Sequence, residues 1–438
     1  MLILKNANII HFYPLEIISK VDIVIESSTI QEIGKNIAAK YSGENMLDLH
    51  GKYVSPGIVC AHNHFYSALA RGILADIPPS KDFVSILKNL WWRLDRALDE
   101  SSVYSSGLIG ALEAIKAGTT AVIDHHASPS FIKGSLNTLK NAFEKTGLRG
   151  VLAYEITDRN GEEGMRAGVE ESLEFIKSVE LGKGNSLVEA AIGGHSPFTL
   201  GNPALELMKE ALRQTGRGIH LHVAEDQFDP SFSHYYYGMD LLERLDKFDL
   251  LNEKSILVHG VYLSEKDIEI LNEHNAFLIH NPRSNMNNGV GYMNKLQQVK
   301  NLALGTDGIG SNMFEELKFA YFKNAEEKGR LGANDFLRSL QNGNVILERY
   351  FGEKFGKVEQ GYTADLVIYD YQAPTPLTAE NLAGHLLFGF SSRDVETVIV
   401  NGTIAYRDRQ FPFDIGDIYR EAQLQARELW ERINKISP

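Results

Sequence analysis

Cysteine is all but missing: Cys60 stands alone among 438 residues, so no disulfide can form within the chain, and a reducing cytoplasm is the default expectation. No segment approaches the roughly eighteen consecutive apolar residues of a membrane span. The opening MLILKNANIIHFYPLEI lacks the basic stretch, apolar run and small-residue cleavage site of a secretory leader. A basic excess is absent too. With 44 Lys and Arg against 57 Asp and Glu the net charge is −13, which argues against a nucleic-acid or anionic-membrane partner. What remains is an ordinary globular composition, 43% hydrophobic and 23% charged, enough for one large domain and a small one.

Two styles of patterning divide the chain. Residues 1–50 alternate short apolar runs with turn-like breaks such as Asn6 and Ser27-Ser28, and residues 364–370 and 395–406 repeat that style more than 300 residues later. Neither end carries a core of its own, so the two are expected to join into one discontinuous β-sandwich domain, residues 1–54 with 356–438. An amphipathic tail at 418–436 is expected to dock as a terminal helix.

The stretch 55–355 instead repeats an apolar run that stops abruptly at polar residues and is followed by helical spacing, as in 101–117, 203–215 and 265–274. The runs are 53–61, 119–124, 149–156, 187–193, 218–223, 255–258, 276–279 and 302–304. Their Val, Ile, Leu and Ala content suits strands buried on both faces. Eight such units predict an α/β fold of the TIM-like (β/α)₈ class.

Barrel enzymes place their chemistry at the carboxyl ends of the strands, so the residues closing each run carry the functional signal. They are His62 and His64; His125 and His126; Thr157 and Asp158; His195; His220 and His222 with Glu225 beyond; His259; His280 and Asn281; and Asp307. The two-residue step of His62-Asn63-His64 on an extended segment puts both imidazoles on one face, able to chelate a single cation. His222 offers a third nitrogen. Asp307 offers the carboxylate that partly neutralises a dication, a donor set suited to zinc first and ferrous iron second. Glu225, three residues past His222, occupies the place of a general acid/base. His259 is either a fourth ligand or, as the preferred reading, the group that orients the attacking water.

Among the other candidates, His195 is expected to touch substrate, and His220, lower on its strand, to be an interior hydrogen-bonded histidine. His274 reads as structural. His125, His126, His234 and His280 divide evenly between function and packing. The run before His195 ends in Gly193-Gly194 and offers no lysine to bridge two metals, so one divalent metal is the simpler reading, with a second near His125 or His126 left open. A bound dication makes water a usable nucleophile near neutral pH. With Asp307 taking its proton and Glu225 protonating a ring nitrogen or leaving group, the chemistry is hydrolysis, with water as the co-substrate.

With His62-Asn63-His64, His222-Val223-Ala224-Glu225, His259 and Thr306-Asp307-Gly308 in place, nearly the whole chain resembles the metal-dependent amidohydrolase superfamily, in its branch of cytosine, guanine and adenosine-type deaminases and triazine hydrolases. Ser55-Pro56-Gly57 before the first histidine and Gly361 to Ile368 near the end fit the same pattern. Four longer stretches, NLWWRLDRALDE at 89–100, DHHASP at 124–129, HNPRSNMNN at 280–288 and NLALGTDGIGSNMF at 301–314, look like SsnA-type aminohydrolases.

The resemblance implies metal ligation by His62, His64, His222 and Asp307, a proton shuttle at Glu225 and a polarising histidine at His259. It implies deamination of a purine-like or related nitrogen heterocycle. The alternative uses the same site to open a cyclic amide, as in a hydantoin-like ring. A non-catalytic metal-bound protein is disfavoured by the presence of Glu225 and Asp307. One departure matters: thioadenosine- and adenosylhomocysteine-type deaminases carry an arginine at the end of strand three, where this chain has Glu155, which counts against the nucleoside substrates of those relatives. Glu155 with Trp92 and its neighbour Trp91 suits a flat, hydrogen-bond-donating ring better than a carboxylate-bearing ligand, although packing serves equally for one tryptophan. His125, Glu155, Trp92 and His195 are thus the candidate substrate contacts. Many relatives form dimers or larger assemblies, so homo-oligomerisation stays open.

Overall fold

The computed structural model describes residues 1–41, 43–182 and 186–438. The first residues form five strands, β1 (Leu2–Phe12), β2 (Leu15–Glu26), β3 (Thr29–Gly34), β4 (Asn45–Asp48) and β5 (Tyr53–Pro56). Their period-two alternation sorts the side chains. Leu2 and Leu4 of β1 with Ile23 and Ile25 of β2 face one apolar cluster, while the intervening Ile3 and Val24 face another, capped by Ile37 and Ala38.

The chain then enters a parallel series: β6 (Ile58–Asn63), β7 (Thr119–His126), β8 (Arg149–Tyr154), β9 (Val188–Ala190), β10 (Ile192–Gly194), β11 (Ile219–Val223), β12 (Ile256–His259), β13 (Phe277–His280) and β14 (Leu302–Leu304). Pairing runs in sequence order through β6 to β9 and through β10 to β14. β9 and β10 are halves of one run broken at Ala191, the first bonded to β8 and the second to β11. A bridge between Ile156 and Gly194 joins the two sheets on one side and a bridge between Asn63 and Asp307 joins them on the other, so the eight runs read from the sequence occupy eight positions of the TIM-barrel arrangement. Gly193 is required at the narrow side, since a Cβ there would lie 2.2 Å from the carbonyl oxygen of Tyr154. Within the ring, Val59, Ala61, Ile123, Val151, Val258 and Ile279 pack together and are closed off by Ile346, Leu347 and Tyr350 of the helix Ala333–Phe351. The alternate residues, among them Ile58, Val122, Leu152 and Leu257, pack outward with the helical layer.

After the barrel the chain returns through β15 (Leu366–Tyr369), β16 (Val395–Val400) and β17 (Thr403–Tyr406). β15 lies antiparallel to β5, with Leu366 opposite Pro56 and Tyr369 opposite Tyr53, so both chain ends build one sheet of order β17-β16-β15-β5-β1-β2-β3, with β4 beside β1. The far edge curls round: Thr29 bridges Thr363 and the Ile30 N–H donates to the Tyr362 carbonyl at 2.9 Å, enclosing the cluster that Leu4, Ile23 and Leu366 share.

The run 53–61, expected as one strand, is two. It breaks at Gly57, where a Cβ would lie 2.3 Å from Thr120 Oγ1, and the chain passes there from the terminal sheet into the barrel. The seam is tied by Arg149 of β8, whose guanidinium donates to both oxygens of Asp365 and to Asn401 with both charged partners 2% exposed. The tail forms the helix Gly416–Asn434 and docks as expected, its Leu429 and Ile433 against Leu94, Ala97 and Val103. Arg93 donates to the carbonyls of Ile433 and Ile436, and Trp430 to that of Leu69, so the tail fastens the segment that follows His64. No helix among the described residues is long and apolar enough to cross a membrane.

Candidate metal centre and substrate pocket

The histidines read from the strand ends meet at one rim. His62 ends β6 side by side with the residues following β14, its carbonyl accepting from the N–H groups of Thr306 and Asp307. His222 comes from β11 and His259 closes β12. Donor atoms of His62, His222, His259 and Asp307 lie within 4.8 Å of one another. His64 completes the group, its Nε2 3.0 Å from Asp307 Oδ1 and 3.1 Å from His222 Nε2. His62 Nε2 is 3.4 Å from the same Asp307 oxygen.

Hydrogen bonds on the far side of each ring decide which nitrogen faces the centre. His64 Nδ1 donates to the His125 carbonyl at 2.7 Å and His222 Nδ1 to the His195 carbonyl at 2.8 Å. Nδ1 of His259 meets Asn285 Oδ1 at 2.8 Å, and Nδ1 of His62 meets His220 Nε2 at 2.8 Å, which gives His220 the interior role expected of it. Nε2 of each ring is therefore the nitrogen left facing the centre. Nε2 of His62 and of His259 are buried without a hydrogen-bond partner, and two imidazole lone pairs 3.1 Å apart repel unless a cation or proton sits between them. Burial holds His62 and His222 well below the usual imidazole range, which keeps them neutral. Against burial, the closeness of His62 and His64 holds Asp307 below the carboxylate range, and Asp307 in turn raises His64 to about 9, so a positive charge, proton or metal ion, belongs at His64 Nε2. Imidazole nitrogens and one carboxylate gathered this closely are the donor set of a divalent metal ion, and these residues fit one.

The backbone is unusual at the same place. His259 has φ 70°, Asp307 φ 54° and Ala224, beside Glu225, φ 50°. Such left-handed backbone costs a non-glycine residue on the order of 1 kcal/mol or more, and is held here by the hydrogen bonds that flank it.

Glu225 stands at the margin of the donor group, its Oε2 3.5 Å from His259 Nε2 and its side chain 12% exposed. Burial, reinforced by the charge of Asp307, pushes its carboxyl well above the ordinary range, while burial holds His259 below its own. A protonated acid beside a neutral imidazole is the state this environment favours.

Above the centre opens a cleft of about 800 Å³ including its mouth. Of the expected substrate contacts, Trp92, Glu155 and His195 line it, with the Trp92 and His195 rings 6.0 Å apart. His125 does not. Its ring is fully buried beside the donor group, Nε2 bonded to the carbonyl of Gly194 in β10 at 2.9 Å and Nδ1 3.6 Å from Glu155, and with His64 and His222 it makes a second set of donors within 4.8 Å of one another. His126 bonds Ser128, while His234 and His274 pair with Asp240 and Asp246 away from the centre.

Two groups of residues went unread in the sequence. The short helix Pro282–Asn288 sends one side chain to each reacting group: Ser284 donates to Asp307, Asn285 accepts from His259, and Asn288 donates to Glu225 at 3.3 Å. Its proline at the first position was the available signal for a helix start. Arg159 is the other, donating to Glu155 at 2.5 Å and Asp95 at 3.0 Å and stacking over Trp92 at 4.6 Å; the four-residue step from Glu155 hinted at the first of these.

Residues 53–405 match the model of the amidohydrolase family. The chain belongs to that family. Amidohydrolase relatives include the 5-methylthioadenosine/S-adenosylhomocysteine deaminase of Thermococcus sibiricus, 32% identical over 92% of this chain and 93% of that one. The 5'-deoxyadenosine deaminase of Methanosarcina mazei is 30% identical over 99% of both. Among solved structures, an adenosine deaminase from Xanthomonas campestris with bound zinc superimposes with a TM-score of 0.84 over 99% of both chains at 22% identity, a likeness of fold.

Proposed function

We propose that the chain is a zinc-dependent aminohydrolase that removes the amino group of a purine-like ring. The observation that carries this reading is the convergence of inward-facing Nε2 atoms and Asp307 next to a carboxyl, Glu225, that its surroundings keep protonated. His62, His64, His222 and Asp307 would hold the ion. Bound there, it supplies a water nucleophile usable near neutral pH. Asp307 takes one proton of the attacking water and hands it to the departing amine, while Glu225 gives its proton to the ring nitrogen next to the attacked carbon. The new hydroxyl returns a proton to Glu225 as the ring relaxes to its oxo form, so both carboxyls end as they began and ammonia leaves. His259, with Nδ1 bonded to Asn285, presents a lone pair that orients the water.

The names of the relatives support adenosine-type rings, and the zinc in the structural neighbour supports that metal over iron. They also return nucleosides to the candidates that Glu155 counted against: that carboxylate is bonded to Arg159 and does not meet the ring as a bare charge. The test is ammonia release by metal-loaded protein across purines, pyrimidines and adenosine-type nucleosides, with Glu225→Gln alongside. The expected result is ammonia from a purine-like ring and, in the variant, unchanged metal content with turnover down about 10²–10⁴-fold. A new acid group without ammonia would move the reading to cyclic-amide hydrolysis, and unchanged turnover would remove Glu225 from the mechanism.

A further inference from the structure

Six acidic side chains line the cleft and no lysine or arginine is among its lining residues; Glu225 keeps its proton, Asp307 belongs to the metal centre and Asp229 is taken up by Ser196 and the Ala224 and Phe198 N–H groups, so Asp95, Glu155 and Asp226 set the charge of the far end. Arg159 adjoins Asp95 and Glu155, gives one nitrogen, Nη2, to both acids and lays its plane on Trp92; its Nε is buried without a partner, and its single charge stands against two carboxylates with the side chain 11% exposed. An ion held by His62 and Asp307 would serve the reacting end of the substrate and not its far end. The facing wall is apolar, built by Phe83, Leu87, Trp91, Phe198 and Phe228. Two polar atoms of the lining residues, Asp95 Oδ1 and Trp92 Nε1, are buried without partners. An acceptor and a donor left over in this way suit a hydroxyl or amide, which can satisfy both.

We infer that the part of the substrate beyond the reacting ring carries no negative charge, and that the cleft rejects the same ring when it carries a carboxylate or phosphate. An anion there would lose its water to apolar side chains and meet carboxylates, and the one nearby cation, Arg159, is already outnumbered by Asp95 and Glu155. Glu155 therefore governs the charge of the substituent and not whether the substrate is a nucleoside.

The inference rests on the purine-like reading above, and the experiment separates the two. Adenosine 5'-carboxamide and adenosine 5'-carboxylate have the same shape and differ in charge. Metal-loaded protein is given each, and both kcat/KM for ammonia release and binding by calorimetry are measured. The expected result is a preference for the amide of about 100-fold or more in both readouts, the size of a like-charge mismatch. Equal binding of the two, or tighter binding of the carboxylate, overturns the inference whatever the turnover. Selective binding of the amide without ammonia sustains it while removing the deaminase proposal, and binding of neither overturns both. Asp226→Asn adds a check on cause: carboxylate binding should improve several-fold with amide binding unchanged, and improvement of both equally would assign the selection to shape.

Discussion

Replacing Asn285 by alanine tests how the site sets the proton on His259. Asn285 Oδ1 accepts from Nδ1 at 2.8 Å, which fixes the tautomer whose Nε2 lone pair faces Glu225 at 3.5 Å. His259 is fully buried, so the lost acceptor is not replaced by bulk solvent. The other neighbour of Nδ1 is the amide nitrogen of Asn281, 3.5 Å away, which can only donate. In Asn285→Ala the ring therefore gains by moving its proton to Nε2, which turns a lone pair in the site into an N–H. Loss of such an outer hydrogen bond costs on the order of 10–100-fold in activity or metal affinity, or about 1.4–2.7 kcal/mol of transition-state stabilisation. The assay is kcat/KM for ammonia release together with zinc per chain, in wild type, Asn285→Ala and Asn285→Asp. The aspartate keeps the acceptor and should restore much of the loss. Wild-type kcat/KM and full zinc in the alanine variant would refute the tautomer argument, as would an aspartate variant no better than alanine.

His222→Ala should lose bound zinc, read by elemental analysis, and full occupancy would remove His222 from the ligands. Arg149→Met should cost about 3–5 kcal/mol in denaturant unfolding, because it leaves Asp365 buried and unpaired at the seam between the barrel and the terminal sheet; a loss under about 1 kcal/mol would show that the pair is not what holds the seam. Asp124 has Oδ1 bonded to the Phe65 N–H at 2.6 Å and Oδ2 buried without a partner, and burial raises its carboxyl from 3.8 to about 7. The folded protein thus holds a proton that the unfolded chain has released, so this group lowers stability as pH rises from about 4 to about 7, by about 1.4 kcal/mol per unit, and adds no further slope above that. Asp124→Asn should therefore gain on wild type between about pH 5 and about pH 8 in unfolding free energy, and an equal difference at both would contradict the assignment.

Much of the site was legible because a parallel barrel converts a local pattern into a shared location: each apolar run ends at the same rim, so His62, His64, His222, His259 and Asp307 meet although 245 positions separate the first from the last. The break at Gly57 was not legible, because its cause is Thr120, a residue of the neighbouring strand. The partners of the helix Pro282–Asn288 were equally hidden. Ser284 reaches Asp307 over 23 positions and Asn288 reaches Glu225 over 63, distances at which no periodicity connects residues. His125 shows the converse: its place at a strand end pointed to substrate, while its ring is buried and bonded to the Gly194 carbonyl of β10, a contact no local pattern announces.

The sequence by itself determined which donors stand at the barrel rim and in what order, since strand alternation and run ends are local properties of the chain. Only the tertiary structure decided which nitrogen of each histidine faces the centre, which carboxyl keeps its proton and which charges line the cleft. Those depend on hydrogen-bond acceptors, burial and neighbouring charges brought from other strands: the His125 carbonyl behind His64, Asn285 behind His259, Arg159 behind Glu155.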